Sequence, residues 1–176
     1  IASRIGKDNM GRDILMQLGR LGLSDKYVQQ DIQAPTGTVQ VHLDEHGQPN
    51  YTIVENVAWD FIEFSPAIAE LAGKCDAVCF GSLAQRSAVS RKTILSFLKQ
   101  TKTDALKVFD VNLRQNFYND AVIAESLRLA NIVKLNHEEL AGLAWMFGLD
   151  GKTEPEQARL LMRQFDVQLV CITRGA

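Results

Sequence analysis

A chain of 176 residues, 46% hydrophobic and 23% charged, can bury the core of one ordinary domain, which excludes a disordered polymer. Its formal net charge of -2 offers no basic stripe to a phosphate backbone, so nucleic acid is not expected as a partner. No apolar run approaches the roughly 18 to 20 residues that cross a bilayer, and Ile1-Ala2-Ser3-Arg4 is no secretory leader, so a soluble, cytoplasmic protein without a membrane partner is expected.

The first helical stripe is Ile14, Leu15, Leu18 and Leu21, closed by Gly22. Before it, Gly6-Lys7-Asp8-Asn9-Met10-Gly11-Arg12-Asp13 has the paired glycines of a phosphate loop. Arg12 and Asp13, however, stand where that loop needs Lys and then Ser or Thr. The plain reading is a tight strand-to-helix turn capped by Asp8 or Asn9. Val39, Val41 and Leu43 then alternate with Thr38, Gln40 and His42, and beyond His46-Gly47 comes Tyr51-Thr52-Ile53-Val54. Residues 38 to 54 therefore read as an antiparallel hairpin, suited to a lid or a dimer surface.

Ser65-Pro66 reads as a helix N-cap and first helical position, with Gly73 as the stop. From Asp76 onward, strand candidates Ala77 to Phe80, Leu106 to Val111, Ile132 to Leu135 and Leu169 to Thr173 alternate with helical stretches. Two helix faces are explicit, at Leu140, Leu143, Ala144 and Phe147 and at Ala158, Leu161, Met162 and Phe165. Thr153 with Glu156 fits a capping box, and Gly148 marks a helix end.

The strands are nearly continuous apolar runs, which predicts cover on both faces. Cys75, Cys79 and Cys171 contain no CxxC pair and are expected as small buried core residues. The expected fold is three-layer α/β/α with a mainly parallel sheet, its core formed by residues 1–34 and 55–176 and a β-hairpin lid inserted at 35–54.

Polar groups concentrate where such a sheet places its ligands, at the C-terminal strand ends. Asp110, Asn112 and Arg114 exit on one face if the strand stays extended, and the amide and guanidinium suit sugar hydroxyls or anionic oxygens. Asn136-His137-Glu138-Glu139 opens a helix, where acidic residues either balance the dipole or hold a hydrated magnesium ion. Thr173-Arg174-Gly175 is either a simple turn or a hydroxyl with backbone N–H groups for phosphates. His42, His46 and His137 lack ligand spacing, so no structural metal is expected.

Together with Pro35-Thr36-Gly37-Thr38, these motifs resemble, in order and spacing, the ribokinase or PfkB family of carbohydrate kinases across the whole chain. Phe80-Gly81-Ser82-Leu83-Ala84-Gln85-Arg86 and the Asp110 to Arg114 run are most similar to its fructokinase branch. The resemblance implies in-line transfer of the ATP γ-phosphoryl group to a monosaccharide hydroxyl, most simply that of fructose, with 2-keto-3-deoxygluconate, ribose or a non-catalytic sensing role as alternatives. It implies that Thr36 and Gly37 enter the lid over the sugar, and that Asp110, Asn112 and Arg114 face the sugar or the transferred phosphoryl group. Asn136 and Glu139 would handle phosphate and Mg2+, the latter indirectly through Glu139, while Thr173 and Gly175 would contact ATP phosphates. Trp59 either packs or borders the sugar.

A homodimer through the lid is also implied. The family's Gly-Ala-Gly-Asp motif, which carries the general base, and its N-terminal Gly-Gly sugar element do not occur in these residues. The expectation is a partial chain, inactive on its own.

Overall fold

Ser65 accepts the Ile68 N–H and Pro66 follows it, so helix α2 (Pro66–Lys74) begins where the sequence predicts and runs one residue past Gly73 before the chain enters the sheet. In the computed structural model, which describes residues 1–174, that sheet consists of β5 (Ala77–Gly81), β6 (Leu106–Asp110), β7 (Ile132–Asn136) and β8 (Leu169–Thr173), all parallel and adjacent in chain order. Helices α3 (Ala88–Gln100), α4 (Asp120–Leu129), α5 (His137–Phe147) and α6 (Glu154–Phe165) form the crossovers. Both expected helix starts at α5 and α6 are capping boxes, Asn136 with Glu139 and Thr153 with Glu156, and α5 stops on Gly148 at a φ of 64°.

Because the strand order never reverses from β5 to β8, right-handed crossovers put their helices on one face. On that face Phe80, Phe109, Val133 and Leu135 meet Leu98, Ile123, Leu127, Leu140, Leu143 and Leu161 in a single buried cluster. Phe80 and Phe109 stack with ring centres 5.2 Å apart.

Within these residues the opposite face is the less covered of the two. Its rows carry Cys79, Val108, Ile132 and Leu169, then Gly81, Asp110, Lys134 and Cys171. Leu106 and Leu169 remain 46% and 53% exposed, and Cys79 and Cys171 are exposed rather than buried. Cys75, at the end of α2, is half-buried.

Ahead of this unit, β1 (Ala2–Gly6) and β2 (Tyr27–Asp31) form a parallel pair around α1 (Asn9–Arg20). The strand before the Gly6 turn is the one that the strand-to-helix reading implies, whereas β2 is not announced, since Gln29 and Gln30 interrupt its apolar run. In α1 only Leu18 of the expected stripe is buried, and Leu21 lies beyond the helix end.

The hairpin pairs β3 (Val39–Leu43) with β4 (Pro49–Ile53). One face is apolar, formed by Val39 opposite Ile53, Val41 opposite Tyr51 and Leu43 opposite Pro49, and the other is polar. At the tip, Asp44 accepts the N–H groups of His46 and Gln48, while Gly47 takes a φ of 74°. Among the described residues no helix is long and apolar enough to cross a membrane.

Candidate functional site

The C-terminal ends of β6, β7 and β8 bring most of the expected site residues together. Strand β6 ends at Asp110, and at Asn112 the backbone turns with a φ of 40°. The extended exit of Asp110, Asn112 and Arg114 on one face is thus replaced by a sharp bend, a conformation that asparagine tolerates better than most residues. Ser82, buried after β5, donates to the carbonyl of Val111 at 2.7 Å and fixes the root of that bend.

Glu139 then ties the bend to the next strand. Its Oε1 accepts the Leu113 N–H at 2.9 Å and its Oε2 the Asn136 N–H at 2.9 Å, while Asn136 Oδ1 accepts the Glu139 N–H at 2.8 Å. One carboxylate thereby completes a helix cap and clamps the preceding strand-to-helix loop, between β6 and α4. Thr173 stands opposite Asn136 in register, its hydroxyl donating to the Leu135 carbonyl at 3.3 Å. Arg114 is exposed, and Gly175 lies outside the described residues.

Asp110 turns to the exposed sheet face, where both of its carboxylate oxygens lie 3.0 Å from Lys134 Nζ. That hydrogen bond is the main cause raising the lysine above its usual range, aided by the charges of Asp110 and Glu139. Lys134 was not singled out by sequence, because it reads as one polar residue in an apolar strand.

Thr36 and Gly37 belong to a second cluster at the root of the hairpin. The Thr36 N–H donates to Asp8 Oδ2 at 2.8 Å, its hydroxyl donates to Asp8 Oδ1 at 2.7 Å, and its Oγ1 accepts the Gly6 N–H at 3.0 Å. Asp8 also accepts the Gly11 N–H as the N-cap of α1. These N–H donors, Thr36 first and then Gly11, hold the Asp8 carboxyl below its usual range.

The glycines are close-approach residues: a Cβ on Gly11 would lie 2.1 Å from the Gly6 carbonyl oxygen, and one on Gly37 would lie 2.2 Å from Trp59 Nε1. The first motif is therefore a structural knot, and Trp59 packs over the entry to the hairpin.

Between the two clusters sits Arg86, 6% exposed, with its fork on Asp60, 5% exposed. Nε and Nη2 each reach a carboxylate oxygen at 2.8 Å, and Nη2 also donates to the Val54 carbonyl at 2.6 Å. Ser90 and Thr93 of α3 hold the same 59–62 turn through Trp59, Ile62 and their backbone groups. Asp60 carries no spacing signal, and Arg86 enters the sequence reading only as the end of the fructokinase-like Phe80 to Arg86 run.

A three-layer α/β domain with an inserted antiparallel hairpin and polar strand ends is the class these features define. The chain belongs to the pfkB family carbohydrate kinases, whose family model matches residues 1–176. It is 28% identical over 180 residues to the fructokinase of Vibrio alginolyticus, covering 98% of this chain and 56% of that protein. It is 31% identical over 145 residues to the fructokinase of Klebsiella pneumoniae, covering 78% and 47%.

Among solved structures, a fructokinase from Xylella fastidiosa superposes with a TM-score of 0.83 at 19% identity, covering 99% of this chain and 55% of that one. The apo fructokinase from Vibrio cholerae O395 gives 0.81 at 26% identity, covering 99% and 60%. The fold is thus the three-layer architecture of ribokinase-like kinases, and the chain spans about half the length of the curated relatives it matches.

Proposed function

We propose that the protein is an ATP-dependent sugar kinase that transfers the γ-phosphoryl group to a hydroxyl of a monosaccharide, with fructose as the first candidate. The observation that carries this reading is the Glu139 clamp, which ties the 110–114 bend to Asn136 at the C-terminal strand ends, with Thr173 opposite Asn136 in register. Relatives named fructokinase support the sugar, and structures of fructokinase with ATP, or with fructose, ADP and calcium, support the ligand classes.

In this reading Asp110, Asn112 and Arg114 face the sugar or the moving phosphoryl group. Thr36 and Gly37 set the lid's entry, and Thr173 with Gly175 meets the nucleotide phosphates. Among the described residues no cluster of three acidic, His or Cys groups could hold a metal. A lone carboxylate instead fits a hydrated Mg2+ carried on the phosphates, which Glu139 would meet through water. The ion would supply charge neutralisation; the protein groups position and donate.

A coupled ADP-release assay over fructose, ribose, 2-keto-3-deoxygluconate and adenosine, run on this chain and on its complete reading frame, tests the proposal. Fructose-dependent turnover by the complete frame is expected, with none from these 176 residues alone. Binding without turnover in the complete frame overturns it in favour of a sensor, and preference for another acceptor reassigns the substrate. Glu139→Gln in the complete frame is expected to raise the Mg2+ concentration needed for half-maximal rate; an unchanged titration removes Glu139 from metal handling. The exposed apolar face of Val39, Val41 and Tyr51 supports a homodimer through the lid, which light scattering checks.

A further inference from the structure

We propose that Arg86 is a positioning residue through which the lid hairpin and the 112–118 loop are held as one mechanical unit. Each stem of the lid ends on this group or its partner. The exit stem reaches Arg86 directly, through the Val54 carbonyl. The entry stem reaches it through Gly37, which packs under the Trp59 indole, and the guanidinium carbon lies 4.0 Å from the centre of that ring. On its other side the guanidinium lies 4.7 Å from the ring of Phe117, in the loop that continues from Asn112 and Arg114. A second tie runs parallel to the first: Gln115 Nε2 donates to the Tyr51 carbonyl of β4 at 2.8 Å.

The chemistry of this position argues for geometry over bulk. Arg86 Nη1 is buried without a hydrogen-bond partner, so the guanidinium is carried at a cost that an apolar residue would avoid. What only a planar fork provides is simultaneous bidentate pairing with Asp60, a bond to Val54 and two aromatic contacts in fixed relative directions. Lysine retains the charge and loses the fork. The lid and the loop that approaches the sugar therefore share one reference point, and displacing either strains the other.

Its bearing on catalysis rests on the sugar-kinase reading, but the coupling is measurable without sugar or nucleotide and so stands or falls separately. Hydrogen exchange is followed segment by segment in this chain and in the complete frame, for Arg86→Lys and Phe117→Leu. Arg86→Lys is expected to accelerate exchange about tenfold in both 39–54 and 112–118, leaving peptides from β6 and β7 unchanged. Phe117→Leu, a change in the loop, is expected to accelerate the lid as well. Acceleration confined to one segment, or spread evenly through α3 to α6, overturns the proposal. If Arg86→Lys does not fold, Phe117→Leu decides by the same criterion.

Discussion

The two faces of the β5–β8 sheet are built from the same strands and yet are opposites. One buries Phe109, Val133 and Leu135 completely under four helices, and the other leaves Leu106, Leu169 and two cysteines exposed around a lysine–aspartate pair. Residue composition does not fully separate them: the buried face carries Phe80, Phe109 and Leu135, but the other mixes Leu106, Val108 and Leu169 with Gly81, Asp110 and Lys134. Strand order does, because a sheet that advances in one direction receives its crossovers on one side. Within this chain the crossovers after β5 cover one face, and an apolar run alone does not say which.

The largest test of that contrast is truncation on each side. Phe109→Ala is expected to cost about 3 to 5 kcal/mol in urea unfolding, whereas Leu169→Ala, on the open face, should stay within about 0.5 kcal/mol. Equal losses would mean that the open face is covered in solution. Next comes Glu139→Ala, which strands two backbone N–H groups near the sheet edge and is expected to cost about 1 to 3 kcal/mol by the same measurement.

The pH limbs should also divide by region. At the lid root Asp8 is depressed chiefly by the Thr36 N–H, and Asp31 by the N–H groups of Ala34 and Gln33. Depressed carboxylates contribute stability that is complete above their unfolded pKa, near 4, and is lost as pH falls through the lower folded values. Lys134, raised by Asp110, behaves oppositely: its contribution is present below its unfolded pKa, near 10.4, and is lost as pH rises through the folded value. Acid should therefore loosen residues 6–36 in pH-dependent exchange before it touches the helical face. The smallest effect is Lys134→Met, within about 1 kcal/mol for a pair so open to water, and a larger loss would show that the open face is electrostatically organised.

Much of the architecture was legible from residues whose local physics is decisive. Ser65-Pro66, Thr153 with Glu156, and Gly148 fixed helix ends because caps act within three or four residues. The same locality explains why Asn136 and Glu139 could be placed at one sheet edge. What stayed hidden depends on long separations. Asp8 reaching Thr36, Asp60 pairing with Arg86, and Lys134 meeting Asp110 each join segments that no periodicity connects. The bend at Asn112 was missed for another reason, since an extended strand and a left-handed turn share the same polar sequence until a neighbour such as Ser82 or Glu139 selects one.

The unreversed strand order also shapes how the molecule assembles. Phe80 pairs with Phe109, Phe109 with Val133 and Val133 with Val170, so each closure spans only a single crossover between successive strands. The root of the hairpin closes over similar separations, 30 residues from Gly6 to Thr36 and 26 from Asp60 to Arg86, but needs Gly6, Thr36, Asp60, Arg86 and Phe117 from separate stretches to converge together. Each sheet pairing closes one loop at a time, whereas the hairpin root must close several at once. The helical face should therefore act as the folding nucleus, and the anchorage of the hairpin should be the last structure gained and the first surrendered.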